Sequence, residues 1–219
     1  MKMSLEQELA DFNAKFEASA PPGAAAFLNS KIEELTAAFP FDRILKPGDL
    51  VPEFSLPGFT SEPVSLLETL AGGPVVLSFY CGAWCPYCNI QLAAYERALL
   101  AIAEAGGCLV AISPQKPDGS LSMSEKNNLT FDVLSDAGNA VARRFGLVYK
   151  LPDDLKIAYS SFGIDLSDVN GDDSWELPIP ATFVVGSNGR VQLAHAEADY
   201  RKRLAPEVIV EALRASKAS

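Results

Sequence analysis

A short apolar run, Val75-Val76-Leu77-Ser78-Phe79-Tyr80, passes through Cys81-Gly82-Ala83-Trp84 into Cys85-Pro86-Tyr87-Cys88, and no other stretch restricts the folding of this chain so strongly. The run is rich in β-branched and aromatic residues and starts after Gly72-Gly73-Pro74, so it reads as a buried strand. Pro86 suits the first turn of a helix, where its missing N–H would be left unpaired anyway. Cys85 therefore falls at or near the N-cap, and Cys88 lies in the first turn. At that place the unpaired N–H groups and the helix dipole favour a thiolate over a thiol. Lowering a cysteine pKa from about 8.5 to about 7 raises its ionised fraction at pH 7 from about 3% to about half. A strand feeding a helix that carries reactive thiols is the unit around which the rest must be arranged.

On the N-terminal side, Leu5, Leu9, Phe12 and Phe16 recur near helical spacing, and Pro21-Pro22-Gly23 ends that segment. A second helix is expected over Ala24 to Ala38, with Phe27, Leu28, Ile32, Leu35 and Phe39 as its apolar stripe. Residues 1–44 thus form a helical extension that covers a flank of the main domain or, in the sharper version, makes a homodimer face. The main domain runs from 45 to 219. Short strands are expected at Phe54–Leu56 and Val64–Leu66, and Asn89 to Ala105 reads as a strong helix ended by Gly106-Gly107. Cys108–Ser113 reads as a buried strand in which Cys108 is a small core residue. A helix near Ser120–Asn127, a strand at Thr130–Leu134 and a short helix from Asp136 to Phe145 follow. Strand and helix alternating in this way build parallel pairs in an α/β sheet.

Lys150 to Leu177 loosens into a polar, partly helical insertion. Its Asp168–Asp173 segment fails the calcium-loop template, because with Gly171 at the sixth position the first and twelfth fall on Leu166 and Leu177. Ala181–Val185 and Arg190–His195, joined by Gly186-Ser187-Asn188-Gly189, form a hairpin, and Pro206 to Leu213 closes the chain as a helix. His195 is expected at a surface or edge.

With 219 residues, 48% of them hydrophobic, the chain can bury a full core without staples. A formal net charge of −10 argues against nucleic acid and anionic membrane as partners. The N-terminal segment Met1–Glu8 has no apolar signal core, and no later run is long enough to span a bilayer, so a cytoplasmic protein is expected. In a reducing compartment the cysteine cluster reads as redox-active or metal-binding rather than as a disulfide framework.

Dithiol–disulfide exchange is the first of three chemistries for the cluster. One thiolate attacks a disulfide or peroxide and the other resolves the product, which Cys85 and Cys88 can do from one helical turn. An iron–sulfur cluster is the second, since Cys81-x-x-x-Cys85-x-x-Cys88 has the spacing of radical S-adenosylmethionine enzymes; a helix starting at Pro86 and a hairpin behind it speak against that. Structural zinc on Cys81, Cys85, Cys88 and His195 is the third, and it lacks a second C-x-x-C. No metal and no cofactor are expected.

Trp84-Cys85-Pro86-Tyr87-Cys88 after an apolar strand, with Ile179-Pro180-Ala181-Thr182 before a later one, resembles the thioredoxin fold: a central mixed β-sheet flanked by helices, with a cis proline facing the C-x-x-C pair. The longer pattern, from Leu45-Lys46-Pro47-Gly48-Asp49 through Phe79-Tyr80 to Thr182-Phe183-Val184-Val185, is similar to the alkyl hydroperoxide reductase/thiol-specific antioxidant superfamily and its peroxiredoxin-like branch carrying W-C-P-Y-C. The peroxiredoxin pattern P-x-x-x-T-x-x-C lays its proline on Cys81, its threonine on Cys85 and its attacking cysteine on Cys88. The arginine that orients peroxide in that family falls on Pro180, so this frame leaves no guanidinium at the site.

The resemblance implies a thiol oxidoreductase that reduces hydroperoxides or disulfides through a Cys85–Cys88 couple recharged by thioredoxin or another dithiol. Two different activities stay open: a disulfide reductase without useful peroxidase activity, and a redox-sensing module that binds a partner when oxidised. Helix geometry favours Cys85 as the attacking sulfur and the family frame favours Cys88; the expectation leans to Cys85. Cys81 is a core or turn residue, or a third thiol able to take over the disulfide. Trp84 and Tyr87 shield the site and shape access, and Pro180 contacts the thiols and offers backbone to a substrate strand.

Overall fold

The computed structural model describes residues 3–58 and 63–217, so Met1 and Lys2 of the charged N-terminal segment lie outside it. Two helices come first, α1 (Leu5–Ser19) and α2 (Ala24–Ala38). Ser4 caps α1 by accepting the Gln7 N–H at 3.2 Å, and Gly23, at φ 85°, turns the chain into α2. A small antiparallel pair, β1 (Ser55–Pro57) and β2 (Pro63–Ser65), leads to α3 (Leu66–Ala71) and then to the central strand β3 (Val75–Phe79). After it come α4 (Pro86–Glu104), β4 (Cys108–Ser113), α5 (Pro117–Asn127), β5 (Asp132–Ser135) and α6 (Ala140–Arg144).

The strands β6 (Val148–Lys150) and β7 (Glu176–Pro178) pair antiparallel and close the base of the segment that carries α7 (Asp153–Ser161) and α8 (Leu166–Asn170). The pairing was not foreseen, because neither strand is longer than three residues. The chain finishes with β8 (Ala181–Val185), β9 (Val191–Ala196) and α9 (Pro206–Lys217).

Five strands form the main sheet in the order β5-β4-β3-β8-β9. β3 runs parallel to β4, and β4 to β5, through the crossover helices α4 and α5; β8 is antiparallel to both β3 and β9. This mixed sheet with helices on both faces is the thioredoxin fold. β3 is buried along its whole length because it lies in the middle of the sheet, between two neighbours. Its alternate side chains enter different cores: Val76 packs beneath α4, while Val75, Leu77 and Phe79 meet Phe145 and Phe183 on the other face. Each large side chain so buried contributes about 1.5–3 kcal/mol.

Cys108 departs from expectation. It opens β4 but is exposed, because the β4–β5 ladder starts only at Val110 opposite Asp132 and leaves the first two residues without a neighbour on that side.

The N-terminal helices use their apolar stripes within the subunit. Leu5 and Leu9 are buried with α4, where Glu8 also pairs with Arg97. Ile32 is buried, and Lys31 bonds Asp154 at 2.6 Å, which links α2 to α7.

Candidate active site

The chain leaves β3 at Tyr80, turns through Cys81–Trp84 and enters α4 with Cys85 at the N-cap (φ −87°, ψ 115°) and Pro86 at the first helical position. The turn is held at several points. The Ala83 N–H donates to Gln115 Oε1 at 2.7 Å, and Asn89 Nδ2 donates to the carbonyls of Ala83 (2.9 Å) and Cys85 (2.7 Å). Asn127 on α5 in turn donates to Asn89 Oδ1 at 2.9 Å. Gly82 is required here: at φ 155° it occupies a region that other residues avoid, and a Cβ on it would come within 2.7 Å of Trp84 Cδ1.

That turn brings three sulfurs together, all within 4.8 Å of one another, with Cys81 Sγ and Cys88 Sγ 3.3 Å apart. Their charge states differ. Burial opposes a charge on Cys88, but hydrogen bonds from the Cys81 and Cys85 thiols and the nearby Arg203 guanidinium outweigh it and hold Cys88 well below the ordinary thiol range. Cys81 is pushed up by its hydrogen bonds to Cys85 and Cys88 and by burial. For Cys85, the hydrogen bond from Cys81 favours the charged form, yet its bond to Cys88 and burial prevail, and its pKa is raised. Of the three, Cys88 is thus the sulfur most readily held as a thiolate.

Arg203 is the residue that sequence reasoning missed. It sits between β9 and α9, where its Nη1 bonds Gln91 Oε1 at 2.6 Å and its Nε and Nη2 bond the Tyr200 carbonyl at 2.8 and 2.6 Å. Nη2 then lies 3.6 Å from Cys88 Sγ. Gln91, one turn after Cys88 on α4, is anchored by its Nε2 on Tyr95 Oη at 2.9 Å, and Tyr95 Oη donates to the Leu204 carbonyl at 3.0 Å. A guanidinium therefore does reach the site, supplied from 23 residues beyond Pro180, where the family frame looked for it. The available signal was Arg201-Lys202-Arg203, the one run of three basic residues in an acidic chain.

Cys81 and Cys85 line an apolar cavity of about 260 Å³, and fully buried Cys88 lies directly behind them. Phe12, Phe16, Leu28 and Ile32 of the N-terminal helices wall it on one side, and Tyr159 and Ile164 of the α7–α8 segment on another. Trp84 and Tyr87 stand in the wall as well, each against an aromatic partner: Trp84 against Tyr159 (5.4 Å), and Tyr87 against Phe12 (5.0 Å) and Tyr200 (5.3 Å). Tyr87 Oη also donates to Asn13 Oδ1 at 2.9 Å.

Pro180 lines the same cavity. Among the described residues no peptide is cis, so the cis proline implied by the resemblance is absent. The Pro180 carbonyl accepts the Glu197 N–H at 3.2 Å. His195 on β9 is half-buried, its Nε2 is shielded and has no hydrogen-bond partner among the described residues, and it lies outside the three-sulfur group. The sulfurs are close enough to share one thiophilic ion, but the Arg203 guanidinium opposes a second cation and the group has no fourth donor among the described residues.

Residues 47–194 match the AhpC/TSA family. The chain belongs to that family. Among AhpC/TSA relatives, peroxiredoxin Bcp of Escherichia coli K12 is 35% identical over 103 residues, which are 47% of this chain and 65% of the relative. The chain thus spans just under two thirds of that relative's length. The chloroplastic peroxiredoxin Q of Sedum lineare is 32% identical over 155 residues, covering 71% of this chain and 70% of that protein. Among solved structures, peroxidoxin BcpB from Mycobacterium tuberculosis superposes with a TM-score of 0.62 at 26% identity, covering 78% of this chain and 97% of that one. Both α1–α2 and the Arg203 loop lie outside the span that matches the AhpC/TSA family. No helix among the described residues is long and apolar enough to cross a membrane.

Proposed function

We propose that the protein is a thiol peroxidase that reduces hydroperoxides with an apolar body, using Cys88 as the attacking sulfur and Cys85 as its C-x-x-C partner. The observation that carries this is the convergence on Cys88 of Arg203 Nη2 and two neighbouring thiols. A guanidinium that holds a thiolate also supplies a donor where charge develops on the peroxide oxygens. The thiolate attacks the outer peroxide oxygen, the O–O bond breaks, and a sulfenic acid forms on Cys88 while the alkoxide takes a proton and leaves as an alcohol. A neighbouring thiol then displaces water to give a disulfide, and an external dithiol such as thioredoxin restores the site.

The apolar cavity over the thiols favours an organic hydroperoxide over hydrogen peroxide, since burying its carbon body against Phe12, Phe16 and Ile32 adds affinity that a small polar peroxide cannot gain. The chemistry requires a reducing compartment, and we place it in the cytoplasm.

The test is consumption of cumene hydroperoxide with dithiothreitol or thioredoxin by the wild type, Cys85→Ser and Cys88→Ser. Cys88→Ser falls to background, and Cys85→Ser still consumes one equivalent of peroxide. Turnover that survives in Cys88→Ser and vanishes in Cys85→Ser assigns the attack to Cys85 instead. A protein that turns over a disulfide substrate but no peroxide is a reductase.

A further inference from the structure

We infer that Cys81 is a third redox thiol, and that the oxidised protein comes to rest with a Cys81–Cys85 disulfide while Cys88 is returned as a free thiolate. This rests on the peroxidase chemistry proposed above and extends it to where the disulfide goes. Three observations of geometry support it. Cys81 Sγ is 3.3 Å from Cys88 Sγ, in direct contact with the attacking sulfur. All three sulfurs lie within 4.8 Å, so a bond can move among them without a change of fold. Only Cys81 and Cys85 face the cavity, and Cys81 has the most accessible surface of the three, whereas Cys88 has none.

An external reductant attacks a disulfide sulfur along the S–S axis and must reach it. A disulfide that ended on Cys88 would keep one sulfur out of reach behind the other two. Moving it to Cys81 and Cys85 places both sulfurs on the cavity.

The steps balance. The Cys88 thiolate takes the outer oxygen of the hydroperoxide, and the departing alkoxide takes the Cys85 thiol proton, which gives Cys88 sulfenic acid, an alcohol and a Cys85 thiolate. The Cys81 sulfur then bonds to Cys88 Sγ; the sulfenic hydroxyl leaves with the Cys81 proton as water. The Cys85 thiolate attacks Cys81 Sγ, breaks the Cys81–Cys88 bond and forms Cys81–Cys85, and Cys88 departs as a thiolate. One hydroperoxide is reduced to alcohol and water, and two thiols are oxidised to one disulfide. Arg203 faces all three sulfurs, so the single negative charge is compensated wherever it stands. The last step runs forward because the sulfur best held as an anion is the better leaving group.

The experiment treats the full-length reduced chain with one equivalent of cumene hydroperoxide, quenches and denatures it in acid, and alkylates the free thiols. Reduction and a second alkylating label then mark the former disulfide, and fragment spectra of the tryptic peptide that ends at Arg97 locate each label. Cys88 carrying the first label, with Cys81 and Cys85 carrying the second, is the expected result. A first label on Cys81, which means a Cys85–Cys88 disulfide, or on Cys85 overturns the relay. In Cys81→Ser, Cys88 sulfenic acid is expected to persist and to be trapped by dimedone; cycling of that variant at the wild-type rate also overturns it. Peroxide consumption that persists in Cys88→Ser moves the attack off Cys88 and removes the step on which the relay rests, a different failure from a misplaced disulfide.

Discussion

Around Cys88 the contacts are polar and fixed: Arg203 is held by Gln91 and the Tyr200 carbonyl, and the preceding turn by Gln115 and Asn89. Helices α1 and α2 meet the same cavity mainly with Phe12, Phe16, Leu28 and Ile32, and their one charged lining residue, Lys31, is paired with Glu34 and Asp154. The floor thus holds a charge in place, and the wall holds a shape. Hydrogen-bonded groups keep their geometry to tenths of an ångström, which bond-making needs, while an apolar wall rewards any carbon body that fills it. Most of the floor lies inside the span shared with the AhpC/TSA family and the α1–α2 wall lies outside it. In the function proposed above, reaction and substrate preference would fall to separable parts of the chain.

The largest effect that would test this division is at Arg203. Arg203→Ala removes a charge-assisted hydrogen bond of about 1.5–3 kcal/mol, so kcat/KM is expected to fall about 10- to 100-fold, equally for hydrogen peroxide and cumene hydroperoxide. The pH profile moves with it. Cys88 is now held below the ordinary thiol range, so activity persists as pH falls beneath that range and drops only when the thiolate is protonated. Without the guanidinium that acid limb shifts upward, and stopped-flow rates across pH read the shift. A loss confined to the bulky substrate would show that the floor selects as well as reacts.

Phe12→Ala is the matching change in the wall. Losing its ring against Tyr87 and the cavity is expected to raise KM for cumene hydroperoxide about tenfold, the lower end of what a buried aromatic contributes, and to leave hydrogen peroxide rates unchanged. A matching loss for hydrogen peroxide would mean that the wall also positions the thiols.

Much of the floor was legible in the sequence because its signals are local. Pro86 and the preceding apolar run located the strand, the N-cap cysteine and the start of α4, and Gly186–Gly189 located the β8–β9 hairpin. What escaped depends on long-range placement. Arg203 reaches Cys88 from 115 residues away, and nothing in its immediate neighbours says which way it points. Cys108 looked like core from its apolar run, but its exposure depends on where β5 begins to pair. The cavity wall combines α1, α2 and the α7–α8 segment, whose stripes could be read singly but whose meeting over the thiols could not.

The smallest expected effect separates the sheet from the site. His195 has its pKa lowered mainly by burial, with Glu197 opposing and Arg203 reinforcing the shift. Its folded pKa lies below the unfolded 6.5, so the unfolded chain binds the extra proton first and stability falls as pH drops below about 6.5. His195→Gln is expected to flatten that acid limb of the urea midpoint and to leave peroxide kinetics as they are. A kinetic change of the size seen for Arg203→Ala would draw His195 into the floor.

Gly82 sets how much variation the site tolerates. Its backbone lies in a glycine region and the Trp84 ring fills the space a side chain would need, so even one added methyl pushes the indole out of the cavity wall. A library randomised over Cys81–Cys88 and selected for survival under organic peroxide should therefore accept changes at solvent-facing Pro86 and return glycine alone at 82. The least chemical residue of the turn becomes its least replaceable one, ahead of residues that touch the substrate.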